Sequence, residues 1–379
     1  MMRGCSLAAA LLVAVAQTPA NEPDWEVMPY TPHAEFQAVD GDGAGTYPVM
    51  DGDPVRMRGV LLNRSAEMLD PTPGAPGFLG GLWQVYVQTI DEDDFGGTAC
   101  WMGQYLGKIM GTHPEGSYTD EEWLAELDRL EHDAATGHEF EPGDLVEIRA
   151  RAPGLHFRGK TNINEQHSDH PLADFDIVLL DAGYGLPWPA VITLEELKDA
   201  EDAFLFDPTR ETGPEHYQGM RVRINGVTLV DATDWGPGAD LLITDGSGRT
   251  FPIKLGLGGG YDTYDAPTGA FDAVGVLDQE DLDAGDGLVD GYRLWLMADY
   301  DGNGRVLPIP CPAGDLDGDG DVDLDDAGGF HGCMAGPDAA PAPPPPMTTE
   351  DCLDELDFDA DGDVDLGDAA TFARAFGQE

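Results

Sequence analysis

The chain has 379 residues, among them 73 Asp or Glu and 19 Lys or Arg, which gives a formal net charge of −54 at pH 7. Such a charge disfavours nucleic acids and anionic membranes as partners, because both are polyanions. Apolar residues make up 41% of the chain, and this fraction predicts a packed core rather than a disordered acidic polymer. The length predicts two or three domains.

The first 20 residues have the features of a secretory signal peptide. Arg3 provides a positive start, residues 7–16 are apolar, and Ala14-Val15-Ala16 forms a small-x-small cleavage site. The apolar run is too short to span a bilayer as a helix. We therefore expect export and cleavage after Ala16, which would leave a secreted, extracellular protein that does not insert into membranes.

Strand-like segments follow in residues 21–185, the first predicted domain. The apolar pattern predicts five strands, at residues 55–63, 82–90, 98–106, 145–151 and 175–181. A helix lies between the third and the fourth of them. Three strands, a helix and two further strands are the order of an OB-fold, a small five-stranded barrel.

The sequence marks both ends of this helix. A capping box at Thr119 and Glu122 predicts its start, and Gly137 predicts its end. Four apolar residues share one predicted face of the helix: Trp123, Leu124, Leu127 and Leu130.

Residues 186–308, the second predicted domain, repeat the strand pattern. A short helix from Thr193 to about residue 204, with a capping box at Thr193 and Glu196, joins the two domains. Five strands are then predicted, at residues 222–230, 241–244, 250–255, 271–277 and 292–297. The predicted fold class is mainly β, with two OB-like five-stranded barrels followed by a small α-helical module at residues 309–379.

That last segment contains the same twelve-residue loop twice, at residues 315–326 and 357–368. Carboxylates occupy loop positions 1, 3, 5, 9 and 12, position 6 is Gly320 or Gly362, and position 7 offers a backbone carbonyl. Calcium needs six to eight oxygen ligands, which this spacing can wrap around one ion. The predicted ligands of two Ca²⁺ ions are Asp315, Asp317, Asp319, Asp321, Asp323 and Asp326 in the first loop, and Asp357, Asp359, Asp361, Asp363, Asp365 and Asp368 in the second.

The paired loops resemble the type I dockerin module, over roughly residues 312–379. The resemblance implies two calcium-binding loop–helix halves that attach a secreted protein to a cohesin-like partner on a scaffold or cell surface. Loop positions 10 and 11 depart from the family, because they are Leu324-Asp325 and Leu366-Gly367 instead of small hydroxyl residues. The rival hypothesis is a calcium-stabilised C-terminal cap without a cohesin partner.

Four cysteines remain once the signal peptide is removed. Cys333 and Cys352 flank the linker between the calcium loops, and we expect a disulfide between them in an oxidising compartment. Cys100 and Cys311 could pair with each other, or Cys100 could be a buried thiol.

The sequence contains no strong catalytic motif, since GxSxG, HExxH and P-loop patterns are all absent. The most polar stretch is residues 155–170, where His167 and His170 could bind a metal or Glu165 and His167 could transfer protons. The alternative is a loop that only stabilises the barrel. Weaker acidic runs, at residues 299–310 and at Asp281, Asp283, Asp286 and Asp290, are interpreted as solvated turns, with weak calcium binding as the alternative.

The leading hypothesis is therefore a secreted, non-catalytic calcium-binding protein with a β-barrel body for binding and a dockerin-like module for attachment. An accessory hydrolase or carbohydrate-binding component of polysaccharide breakdown is the alternative. An OB-fold partner of an extracellular nuclease is the third. Seven aromatic residues could stack on sugars, although core positions are expected for most: Trp83, Tyr86, Trp101, Tyr105, Trp188, Trp235 and Trp295.

Overall fold

The computed structural model describes most of the chain between Pro23 and Phe376. The described residues are 23–48, 53–64, 82–91, 93–104, 118–151, 154–164, 175–256, 266–283, 285, 287–296, 314, 316, 322, 324–337, 339–343, 347–358 and 361–376. The protein is mainly β, with a closed five-stranded barrel and a second sheet. None of the helices within these ranges is long and apolar enough to cross a membrane.

The first sheet has seven strands and covers an apolar core. The strands are β1 (Val55–Leu61), β2 (Leu82–Gln88), β3 (Gly97–Gly103), β4 (Leu145–Ala150), β5 (Leu155–Phe157), β6 (Lys160–Asn164) and β7 (Phe175–Asp181). Their order across the sheet is β5-β6-β3-β2-β1-β4-β7. Alternate strand residues such as Val55, Met57 and Val85 are buried against a short helix α1 (His33–Phe36), which contributes Phe36.

The strands β5 and β6 were not expected, because residues 155–170 were predicted to form a polar loop. β6 is polar in sequence, but all five of its residues are buried between β3 and β5. It also takes the place beside β3, to which it runs parallel, whereas β7 pairs antiparallel with β4. Apolar periodicity did not predict this strand, because a strand with polar residues on both faces does not alternate between apolar and polar positions.

The predicted helix is α2 (Asp120–Glu131), and its capping box at Thr119 and Glu122 is confirmed. The predicted end at Gly137 is wrong, because the helix stops at Glu131. The Asp133 side chain accepts hydrogen bonds from the backbone N–H groups of Ala135 and Thr136, and these compete with helical bonds. Of the four apolar residues on the predicted face, Leu124 is exposed, while Trp123 and Leu130 are buried.

The second sheet confirms all five predicted strands of its domain to within one or two residues. Its strands are β8 (Ala190–Ile192), β9 (Arg221–Leu229), β10 (Asp240–Thr244), β11 (Thr250–Leu255), β12 (Phe271–Gln279) and β13 (Tyr292–Leu296). β9 pairs with both β10 and β12, and β11 runs parallel to β13, so β9 to β13 close into a barrel. β8 extends the sheet parallel to β9.

The helix that joins the two sheets is much shorter than predicted. α3 (Leu194–Leu197) has the expected capping box at Thr193 and Glu196, but it ends at Lys198 instead of continuing to about residue 204. The Asp199 carboxylate accepts hydrogen bonds from the N–H groups of Glu201 and Ala203, which closes a tight turn. A further short helix, α4 (Gly213–His216), precedes β9.

A buried carboxylate links the two sheets. Asp278 on β12 is fully buried, and it accepts hydrogen bonds from Tyr86 of β2 at 2.5 Å, from Trp295 at 3.0 Å and from Arg293 at 2.9 Å. Lys160 of β6 forms an ion pair with the same carboxylate. Burial alone would raise the pKa of Asp278, but the positive charges of Lys160 and Arg293 outweigh it and hold the pKa below its ordinary value.

The backbones of the two sheets also touch. The Gly97 N–H donates to the carbonyl of Gln218 at 2.9 Å. A Cβ at Gly97 would lie 2.1 Å from the carbonyl oxygen of Gly219, so only glycine fits at this contact. The first sheet and the barrel therefore form one packed body.

Candidate metal centre

Three helices build the C-terminal segment. They are α5 (Leu324–Cys333), α6 (Thr349–Leu356) and α7 (Leu366–Ala375). The predicted disulfide between Cys333 and Cys352 is confirmed and joins the end of α5 to α6. Cys100 is a free, buried thiol, which was one of the two alternatives predicted for it. Burial raises the pKa of this thiol.

The core of this segment is repeated with the same 42-residue offset as the loops. Val322 and Val364 occupy position 8 of their loops, and both are fully buried. Phe330 of α5 and Phe372 of α7 stack with ring centroids 4.6 Å apart and planes inclined by 26°. The two halves therefore pack against each other through equivalent residues, so the repeat extends from sequence into packing.

The segment is docked on the barrel body through Trp188, which precedes β8 and is partly buried against this core. A Cβ at Gly329 would lie 2.7 Å from a ring carbon of Trp188, so the indole rests directly on α5. Each glycine inside α5 costs about 1 kcal/mol of helix stability relative to alanine. Close approach of the indole explains Gly329.

The second loop is held by its own carboxylates. Asp357, at position 1, accepts hydrogen bonds from the N–H groups of Asp361 at 3.0 Å and Gly362 at 2.8 Å. Gly362 has a φ of 93°, the left-handed conformation that its position 6 in the loop was expected to need. These hydrogen bonds form a tight turn, which brings carboxylates of the second loop close to one another.

The last carboxylate of each loop makes the same contact. Asp368 is 1% exposed, and it accepts hydrogen bonds from the N–H groups of Phe358 and Asp365, both at 2.8 Å. In the first loop, the fully buried Asp326 accepts from the N–H of Leu316 at 2.5 Å. Position 12 is therefore joined to position 2 in both loops, which closes each loop at its ends.

The structure brings three of the predicted ligands together. One carboxylate oxygen from each of Asp363, Asp365 and Asp368 lies within 4.8 Å of the other two. Two oxygens that bind one Ca²⁺ at about 2.3–2.6 Å can be at most about 5 Å apart. The three carboxylates fit a single divalent cation, and Asp363 contributes its side chain to this group in addition to the backbone carbonyl that the sequence predicted.

The structure describes only some of the other predicted ligands. Asp357 and Asp361 belong to the described part of the second loop, where they hold the turn. Six predicted ligands lie outside the described residues, namely Asp315, Asp317, Asp319, Asp321, Asp323 and Asp359. Of the ligands predicted for the first loop, Asp326 is the one that lies within the described residues.

The alternative site at residues 155–170 is described only in part. His156 is hydrogen-bonded through its ring nitrogens to Thr161 Oγ1 at 3.0 Å and to the Gly43 carbonyl at 3.1 Å, and burial lowers its pKa. Glu165, His167 and His170 lie outside the described residues, as do residues 299–310 and Asp286. Among the aromatic residues, Trp83, Tyr86 and Trp295 are buried in the core as expected.

Comparison of the chain with models of known protein families found no match, and no curated protein proved similar to it. The likeness to dockerins therefore rests on the two loops themselves.

Proposed function

We propose that this protein is a secreted, non-catalytic calcium-binding protein. Its barrel body binds a ligand, and its C-terminal pair of loops forms a dockerin-like module for extracellular attachment. The body consists of two OB-like units, of which the second has the closed strand order β9-β10-β11-β13-β12. The observation that carries the proposal is the matched closure of both loops, in which Asp326 and Asp368 accept equivalent backbone hydrogen bonds.

Electrostatics support an external cation. Residues 309–379 contain nineteen Asp or Glu but a single Lys or Arg, Arg374. Carboxylates crowded within one loop repel each other unless positive charge lies between them. Two Ca²⁺ ions would supply four of the missing positive charges, and their binding energy would become folding energy for the module.

Calorimetric titration of the full chain with Ca²⁺ tests this proposal. We expect about two ions per chain and a loss of heat when Asp326→Asn and Asp368→Asn are combined. The absence of heat at millimolar Ca²⁺ would refute it. Calcium-dependent retention on an immobilised cohesin-like domain would separate attachment from the rival cap function, because a cap binds calcium without binding cohesin.

A further inference from the structure

A concave pocket of about 430 Å³ lies beside the first sheet, next to the middle of β1 and the connection between β2 and β3. Its lining includes Tyr30, Thr31, Arg58, Asp91 and Asp93. The volume falls in the range of small-molecule sites, about 300–1,000 Å³. No part of the candidate metal centre contributes to it.

The guanidinium of Arg58 is held in place before any ligand arrives. It forms an ion pair with Asp91 and lies 4.9 Å from the centroid of the Tyr30 ring. Tyr30 is fixed in turn, because its hydroxyl donates to the buried Glu147 at 2.8 Å and Arg56 lies over its ring at 4.2 Å. Such preorganisation lowers the entropy that ligand binding would cost.

Several polar side chains of the pocket remain accessible to a ligand. Arg58 and Asp91 are about one third exposed, at 32% and 39%, and Asp93 is exposed. Asp94 is already used, because its two oxygens accept hydrogen bonds from the backbone N–H groups of His33 at 2.8 Å and Ala34 at 2.9 Å. The groups that remain for a ligand are therefore donors on Arg58 and acceptors on Asp91 and Asp93.

This mixture of charges restricts the ligand. An anion would pair with Arg58 but would be repelled by Asp91, Asp93 and the charge of the whole chain. A cation would be attracted by the carboxylates, but Asp91 is already paired with Arg58 and Asp94 with two backbone N–H groups, which leaves the exposed Asp93 as the main carboxylate for it. A hydroxyl group suits both, because it donates to a carboxylate and accepts from a guanidinium at the same time. Adjacent hydroxyl groups on a neutral ring meet this requirement within a site of this size.

We propose that this pocket binds a neutral sugar unit through Arg58, Asp91 and Asp93. The inference deepens the binding role proposed for the body and does not depend on calcium in the C-terminal loops.

The test uses the full chain and nuclear magnetic resonance titration with soluble neutral gluco-, manno- and xylo-oligosaccharides. Oligogalacturonate and CaCl₂ alone serve as anionic and cationic probes. We expect at least one neutral oligosaccharide to bind, and Asp91→Asn or Asp93→Asn to weaken binding by about tenfold or more. Asp93 is exposed, so its variant should keep the fold if Asp91→Asn disturbs the ion pair with Arg58.

Glu141→Gln is the matched control. Glu141 forms an exposed ion pair with Arg64 in the same part of the chain but does not line the pocket. Sugar binding should be unchanged in this variant. The proposal is overturned if no neutral oligosaccharide binds, or if the control loses as much affinity as the pocket variants. It is also overturned if Asp91→Asn weakens the binding of oligogalacturonate or calcium and no neutral oligosaccharide depends on Asp91.

A repeat of the titration in excess chelator separates this proposal from the calcium-binding function. Sugar binding that persists in chelator supports a pocket that belongs to the body. Sugar binding that disappears with calcium contradicts the inference, even when the calcium-binding function holds.

Discussion

The body and the C-terminal segment both bury carboxylates, but they differ in where the neutralising charge comes from. In the body, Asp278 is surrounded by Lys160 and Arg293 of the same chain. In the C-terminal segment, Asp363, Asp365 and Asp368 converge in a region with a single Lys or Arg. The first arrangement is complete when the chain folds, whereas the second would be neutralised by the ion that we propose to bind there.

The difference has a consequence for stability. A carboxylate paired within the chain depends little on the composition of the solvent, because the partner is always present. The stability of a carboxylate cluster that needs a metal rises with the metal concentration, because metal binding to the native state adds to the free energy of unfolding. If the proposed calcium binding holds, the stability of the C-terminal segment will depend on the calcium concentration and that of the body will not.

Chelation should produce the largest effect. Excess EDTA is expected to unfold the C-terminal segment, because the Asp363, Asp365 and Asp368 carboxylates would repel each other without a cation, while the barrel stays folded. Hydrogen exchange of the full chain should rise in peptides covering α5 and α7 and stay unchanged in those covering β9 and β12. EDTA saturated with Ca²⁺ is the control. Equal exchange in α5 and α7 with and without EDTA would contradict the prediction.

The second largest effect is expected when the buried Asp278 carboxylate of the body is replaced. Asp278→Asn leaves the buried Lys160 without its anion, while Arg293 keeps its ion pair with Glu280, and we expect a loss of about 3–5 kcal/mol in the free energy of unfolding. Urea denaturation of the body measures it. The matched control is Asp240→Asn, which removes the partner of Lys254 from an exposed ion pair at 2.8 Å and should cost less than about 1 kcal/mol. Similar losses in both variants would mean that Asp278 is not the central anion.

Another buried carboxylate of the body, Glu215, lies beside Tyr292 and Arg210. Glu215 accepts a hydrogen bond from Tyr292 at 2.5 Å, and burial raises its pKa to about 7, although Tyr292 and Arg210 act in the opposite direction. Because the folded-state pKa lies above the unfolded-state value, its stabilising contribution is complete below about pH 4.5 and disappears as the pH rises to about 7.

The body should therefore lose about 2–3 kcal/mol of this contribution between pH 4.5 and 8, and Glu215→Gln should remove that slope. Urea denaturation at both pH values measures it. Glu211→Gln, at an exposed position nearby, is the control and should keep the slope. A slope that survives in Glu215→Gln would assign the pH dependence to another group.

The smallest of these effects is expected for a single ligand. Asp368→Asn keeps one acceptor oxygen for the loop but removes a negative charge from the group, so Ca²⁺ affinity of the second loop should fall by about tenfold or more. Calorimetric titration measures it. Asp234→Asn, an exposed residue of the barrel, should leave affinity unchanged. Unchanged affinity in Asp368→Asn would exclude this residue as a ligand.

Sequence patterns predicted the barrel well because its strands alternate between buried and exposed residues, as in Thr250–Leu255. They also located both capping boxes, since these depend on residues only three positions apart. They missed β6, whose polar residues are buried by neighbours far along the chain. They also misplaced the end of α2, where the Asp133 side chain competes for backbone N–H groups.

The candidate metal centre shows the same division. Loop spacing alone identified Asp365 and Asp368, because their positions follow from local turn geometry. The side chain of Asp363 was missed, since position 7 is expected to contribute its carbonyl. The pocket around Arg58 could not be found from sequence at all, because it joins residues from the start of the chain, from β1 and from the connection after β2.

Local order along the chain was enough to establish the strands of the barrel, the cap residues of two helices and the repeated acidic loops, because each depends on residues a few positions apart. Folding in three dimensions was needed to pair Lys160 with Asp278, to place Trp188 on Gly329 and to open the pocket beside Arg58. These contacts join residues 25 or more positions apart, and only the packing of whole sheets and helices brings them within reach.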